Sequence, residues 1–200
     1  MANISASSKR FIITGGVILA LVAAASIGLA AWRNQPKGII VAISSLPDSL
    51  NPILEQNLSG MNASELVFDG LVNFEVDMES GSLYPELALA ESIEQDTKDK
   101  KTYQVLLRQV VWHDGNPLTA EDVVFSFEAY MDEKNRSPKR AYLSSFIKEV
   151  RALSTNTVEI EFHNPIPPFR AYPVLSFKII PAVYNGTRLD RDLRSGEHER

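Results

Sequence analysis

His113-Asp114-Gly115 sets a histidine beside a carboxylate, the pairing from which a general base or a metal ligand is made. A metal centre needs three or four converging ligands, and no second histidine stands at helical or hairpin spacing from His113. The other histidines are His163 and His198. Asp114-Gly115-Asn116-Pro117 reads as a tight turn leading into a helix. Three further acid pairs, Glu121-Asp122, Asp132-Glu133 and Glu159 with Glu161, have the residue types of acid–base catalysis. Their positions predict structural work instead: a helix start, a helix end and the solvent face of a strand. No serine sits in a Gly-x-Ser-x-Gly elbow, and no glycine-rich phosphate loop occurs. Asn57-Leu58-Ser59, Asn62-Ala63-Ser64 and Asn185-Gly186-Thr187 match the glycosylation sequon, a pattern too short to decide anything alone. No catalytic residue, metal ligand or cofactor is expected. The chain reads as a binding protein, not an enzyme.

Composition narrows the class further. The sequence holds no cysteine, so it offers no disulfide, thiolate zinc site, cysteine nucleophile or lipid-modified cysteine. Its net charge is −5, and all 25 acidic residues follow Ala31 against 18 of the 20 basic ones. A nucleic-acid partner is therefore not expected, because such partners call for a basic face. Phe11 to Ala31 is an uncharged apolar run after Lys9-Arg10. As a helix rising about 1.5 Å per residue it is about 30 Å long, enough to cross a hydrocarbon core. Gly28-Leu29-Ala30 equally offers small residues to a signal peptidase. The expectation is a transmembrane anchor or a cleaved signal, with the body exported in either case.

Beyond this run the pattern predicts the elements that position any site. Gly38 to Ser45 reads as a buried strand, and Leu46 to Pro52 as a turn-rich loop ending it. A helix of moderate amphipathicity is expected over about 58–71, with Met61, Glu65 and Phe68 alternating with Leu58, Leu66 and Val67, and a short strand over 72–76. Leu83 to Ile93 is apolar but irregular, with Pro85 against a helix. Thr102 to Arg108 alternates as a strand. Val150 to Leu153 and Thr157 to Phe162 make a hairpin about Ser154-Thr155-Asn156. Thr119 starts a helix whose Val123, Phe127, Tyr130 and Met131 share one face, and 133–138 ends it. Trp112, Phe125, Phe127, Tyr130, Phe162, Phe169, Tyr172 and Phe177 are mostly core by spacing, with room for one or two to line a cleft.

The order of these blocks carries a resemblance. It rests on Leu50-Asn51-Pro52, Val67-Phe68-Asp69-Gly70-Leu71-Val72, Leu83 to Ser92, Thr102 to Arg108, and the long run Val110 to Ser126 with its Trp112-His113-Asp114-Gly115 and Pro117 to Asp122. From Gly38 to Tyr184 the chain resembles the family 5 extracellular solute-binding proteins that serve ABC importers of oligopeptides, dipeptides and nickel. The resemblance implies a mixed α/β (α+β) fold: an N-terminal transmembrane or signal helix, then part of a type II periplasmic-binding-protein clamshell. It divides the chain into an anchor or signal peptide at 1–33, the N-terminal part of the solute-binding domain at 38–184, and a severed or disordered tail at 185–200. A smaller subdomain is expected at 52–168, with the chain returning on a strand near Phe177 to Pro181. Members of the family are far longer, so a second large lobe is expected beyond Arg200.

The implied function is capture of a peptide, or a related small solute such as nickel, outside the cytoplasmic membrane and delivery to the ABC permease. The implied place is the periplasmic or extracellular face of that membrane, with the N-terminal helix as anchor or released by its cleavage. An alternative is a membrane-anchored, non-catalytic protein-interaction module derived from the same fold. The expected ligand-binding residues are Ser45, Leu46 and Pro47 in the loop after the first strand, and Phe177 on the returning strand. In such sheets ligands sit beyond strand ends, where an extended peptide pairs with backbone.

Overall fold

Alternation of apolar and polar residues builds the central sheet. The structure is a computed structural model and describes residues 42–43, 45–47, 49–191 and 193. In chain order its elements are α1 (Leu58–Val67), β1 (Val72–Val76), β2 (Leu83–Leu87), β3 (Ala90–Gln95), β4 (Thr102–Leu107), α2 (Ala120–Met131), α3 (Arg140–Phe146), β5 (Ile147–Ser154), β6 (Thr157–Phe162), α4 (Pro168–Leu175), β7 (Val183–Tyr184) and β8 (Thr187–Arg188). The expected mixed α/β class is what forms. Strands β3-β4-β6-β5, in that spatial order, make one antiparallel sheet, while β1-β2 and β7-β8 are separate antiparallel pairs.

Val158, Ile160 and Phe162 of β6 are buried, and so are Tyr103, Val105 and Leu107 of β4 beside them. Tyr103 meets Phe162 edge-on with ring centroids 5.4 Å apart, and its hydroxyl donates to the Ile166 carbonyl at 2.6 Å. Burial, with a smaller contribution from Tyr172, pushes the Tyr103 hydroxyl up to about 12. On the opposite face, Lys148 pairs with Glu161 at 2.8 Å and Arg151 with Glu149 and Glu159 at 2.7 and 2.5 Å. Glu159 and Glu161 are thus surface partners, as their alternation predicts. Exposed pairs of this kind each stabilise little.

Helix α2 begins at Thr119, as expected, through a reciprocal start in which the Thr119 N–H donates to Asp122 Oδ2 at 2.7 Å. It is buried on more than the one predicted face: Val123, Phe127 and Tyr130 of that face are covered and Met131 is half-buried, while Ala120, Asp122, Phe125, Ser126 and Ala129 are covered as well. One side packs on the β5–β6 hairpin and the other holds the chain returning after α4.

Several expectations are corrected. Helix α1 stops at Val67 because Phe68 is extended, and it is inverted: Ser59, Gly60 and Ser64 are buried while Leu58, Leu66 and Val67 are exposed. The polar residues are inside because each has a partner there. The Asn57 side chain accepts the Gly60 N–H, and Ser64 donates to the buried carboxylate of Glu55. The apolar stretch at 83–93 is two strands, β2 and β3. Residues Phe177 to Pro181 are buried or half-buried but form no strand, since their main chain bonds to Asp69 and to α2 side chains. The tail is not loose over its described residues. Thr187-Arg188 pairs with β7, and buried Asn135 holds the Arg191 carbonyl at 2.6 Å and the Leu193 N–H at 2.9 Å. Ala42 and Ile43 lie in no strand and are exposed; the rest of the predicted 38–45 strand, Ser45 apart, lies outside the described residues. The Phe11–Ala31 run does so too, and among the described residues no helix is long and apolar enough to cross a membrane.

Candidate functional site

Asn51 organises the first wall of a cavity. Its side chain accepts the Ile53 N–H at 3.0 Å, and its carbonyl accepts from Leu54 and Glu55 at 3.1 Å each. Ser49 Oγ takes the Asn51 N–H at 3.0 Å. These local bonds are the turn chemistry that Asn and Ser supply, and fully buried Ile53 anchors the loop in the core. The result is a curved segment facing a cavity of about 770 Å³. That volume lies within the usual range of small-ligand sites, about 300–1,000 Å³.

Pro47, Leu50, Asn51, Pro52 and Leu54 line the cavity from this loop, with Val67 and Phe68 from the end of α1. Trp112 and His113 line it from the turn before α2, and Ile180, Pro181 and Tyr184 from the returning chain. Leu189 and Leu193 complete it. The lining is chiefly apolar, with a few polar side chains such as Ser49, Asn51 and His113 among it. Such a surface suits a ligand with apolar groups.

The Trp112 wall is held by its turn. Gly115 has φ +86°, its N–H donates to the Trp112 carbonyl at 2.9 Å, and the Trp112 N–H donates to Asn116 at 2.8 Å. Asp114 Oδ1 accepts the Asn116 N–H at 3.0 Å, and Oδ2 accepts the Asn185 N–H at 2.9 Å. Those N–H donors, Asn185 foremost, hold the Asp114 carboxyl below its ordinary value of 3.8. Asp114 is thereby engaged with the turn and with the β7–β8 hairpin, and His113 stands exposed at the cavity. The β7–β8 turn itself needs positive φ at Asn185 and Gly186, 50° and 75°, the pattern of an Asn-Gly hairpin. Among the described residues no three metal-ligating side chains cluster.

The returning wall is pinned to α2. Ile180 N–H donates to Ser126 Oγ at 2.9 Å and Ala182 N–H to Asp122 Oδ1 at 2.7 Å. Just before it, Lys178 is buried, and its ammonium meets Glu65 at 2.7 Å. Buried charge is tolerated only with such a partner.

Of the sequence-predicted site residues, Pro47 lines the cavity. Ser45 is exposed and shares a 3.1 Å hydrogen bond with Ser59, and Leu46 is 83% exposed with its carbonyl taking the Asn57 amide. Phe177 is 2% exposed, packed on Phe127 and Tyr130 with centroids 6.3 and 5.8 Å away, and is not in the lining. The Phe177 position thus belongs to the core, three residues before Ile180, where the chain reaches the cavity. Sequence reasoning placed Ile180 and Pro181 on the returning segment but not in the site, and it missed Tyr184, Leu189 and Leu193, which no helical or strand period marks. Trp112-His113 had a signal, the Asp-Gly turn that projects it.

A family model of bacterial extracellular solute-binding proteins, family 5 Middle, matches residues 84–195. The chain is similar to the periplasmic oligopeptide-binding protein OppA of Escherichia coli (strain K12), with 30% identity across 84% of this chain and 33% of that protein. Among solved structures it is similar to NikZ from Campylobacter jejuni in complex with Ni(L-His), at 30% identity and TM-score 0.56, covering 70% of this chain and 26% of that one. It is also similar to Haemophilus influenzae OppA in complex with the peptide RPPGFSPFR, at 26% identity and TM-score 0.57, covering 68% of this chain and 29% of that one. The chain spans about a third of the length of the curated relatives it matches. With more than half of its length matched by the family model, the chain belongs to the family 5 bacterial extracellular solute-binding proteins.

Proposed function

We propose that this chain captures a peptide, or a related small solute such as a nickel complex, for an ABC importer. It does so on the periplasmic or outer side of the cytoplasmic membrane and delivers the solute to the permease without chemical change. The observation that carries this reading is the apolar cavity of about 770 Å³ between the Pro47–Leu54 loop, Trp112 and Ile180-Pro181. Its apolar lining and the Trp112 ring suit the side chains of an extended peptide. Family membership and relatives named for oligopeptides, dipeptides and nickel support the solute class. Residues 52–168 are read as the smaller subdomain. Residues 1–33 are read as the membrane anchor or signal, and Ser45, Leu46 and Pro47 as part of the ligand-facing rim.

The test is a fluorescence titration of the chain carrying Trp32→Phe, following Trp112, with trialanine and with nickel–histidine. A saturable change with either ligand is expected. A flat response to both, from protein with native circular dichroism, sinks the reading.

A further inference from the structure

Asp122 collects donors from three separate parts of the chain. Its Oδ2 accepts the Thr119 N–H at 2.7 Å, the Thr119 hydroxyl at 3.1 Å and the Trp112 indole N–H at 3.3 Å. Its Oδ1 accepts the Ala182 N–H at 2.7 Å. Only the Thr119 contacts are needed to start a helix. The other two reach the walls of the cavity, because Trp112 lines one side and Ile180-Pro181, which lead into Ala182, line another.

We propose that Asp122 is the positioning residue of this cavity, a single carboxylate that fixes the Trp112 ring and the Ile180–Ala182 main chain relative to each other. A carboxylate suits the task because both oxygens accept and neither donates. Its bonds to N–H groups are charge-assisted and stronger than neutral ones. Asp122 is 5% exposed, so a donor deprived of it is not readily re-paired by water. Ser126, one turn further along α2, extends the same grip by accepting the Ile180 N–H. Asparagine at 122 keeps the size but presents an NH₂ group to one of the two walls, setting donor against donor. In either orientation of the amide the link between the walls breaks and the Trp112 ring loses its fixed place against the returning chain. The Thr119 side chain still caps the N3 backbone of the helix.

This inference rests on the solute-capture reading for what the cavity holds, and its test does not. In the full chain carrying Trp32→Phe, Trp112 is the sole tryptophan of the original two. Acrylamide quenching of its emission and affinity for trialanine are compared in Asp122→Asn and Thr119→Ala. Asp122→Asn is expected to lose protection of the indole and to bind trialanine about tenfold more weakly, the scale of one charged hydrogen bond. Thr119→Ala is expected to lower Tm while keeping both. Parental quenching in Asp122→Asn, or equal loss of protection in Thr119→Ala, overturns the proposal. If Asp122→Asn does not fold, hydrogen exchange of the Trp112 indole N–H in the parent decides: slow exchange supports the proposal, and exchange at the free-indole rate overturns it. A parent chain that binds no trialanine counts against the capture reading alone, and the quenching comparison then decides the positioning.

Discussion

A methyl group added at Gly70 would lie 2.9 Å from the main-chain carbon and oxygen of Ser176 and from the carbonyl of Val72. Backbone cannot step aside as a flexible side chain can, and the neighbouring Asp69 carbonyl already accepts the Ile179 N–H at 2.9 Å. Gly70→Ala is therefore expected to cost about 1–3 kcal/mol, the usual penalty of overpacking, in urea unfolding. Tyr103 makes a second prediction at this scale. Its folded value of about 12 exceeds the ordinary 10.0, chiefly through burial. A raised tyrosine contributes stability that is complete below pH 10 and is lost as pH rises toward 12. Burial raises Tyr130 as well. Absorbance titration should show these two of the six tyrosines ionising only as the protein unfolds. Ionisation of all six in the native fold below pH 11 would contradict it.

At the scale of elements, α1 shows how partners override polarity. Leu66, 86% exposed, and buried Ser64 occupy the places that amphipathicity would exchange. Ser64→Ala removes the donor to buried Glu55 and is expected to destabilise by about 1–3 kcal/mol, whereas Leu66→Gln should change stability by less than about 0.5 kcal/mol. Thermal unfolding of the two variants measures the difference, and the reverse order would refute the inversion. The Trp112–Pro117 turn and the β7–β8 hairpin meet through Asp114. Because the Asn185 and Asn116 N–H groups lower its carboxyl, this contact stabilises the fold above about pH 4, near the unfolded carboxylate value, and weakens as pH falls through the folded value. Relative to its intrinsic rate, amide exchange at Asn185 should accelerate on acidification in the parent. It should be fast and pH-insensitive, apart from intrinsic exchange chemistry, in Asp114→Ala.

At the scale of the whole molecule, the cavity joins segments more than a hundred residues apart, from Pro47 to Leu193. Leu46, next in sequence to the lining residue Pro47, is 83% exposed, so a charge there costs the fold nothing appreciable. Leu46→Asp is expected to weaken trialanine binding with Tm unchanged; equal affinity in the variant and the parent would remove the loop from the ligand site.

What the sequence determined by itself is the local structure. The β4 and β6 strands, the β5–β6 hairpin, the Thr119 start of α2 and the Asp114-Gly115 turn were legible because alternation, capping and turn residues act within a few positions. The family was legible too, since the Val110–Ser126 run is long and ordered. Tertiary structure alone decided which side of α1 faces inward, because Glu55 supplies a partner that the helical pattern does not contain. It alone decided that Phe177 packs in the core while Ile180-Pro181 reach the cavity. It also brought Asp122 from a helix start into contact with Trp112 and Ala182. Those outcomes depend on which groups outside an element's own pattern meet, and hydrogen bonds spanning nine residues, as Ser64 to Glu55, or sixty, as Ala182 to Asp122, leave no period in a sequence.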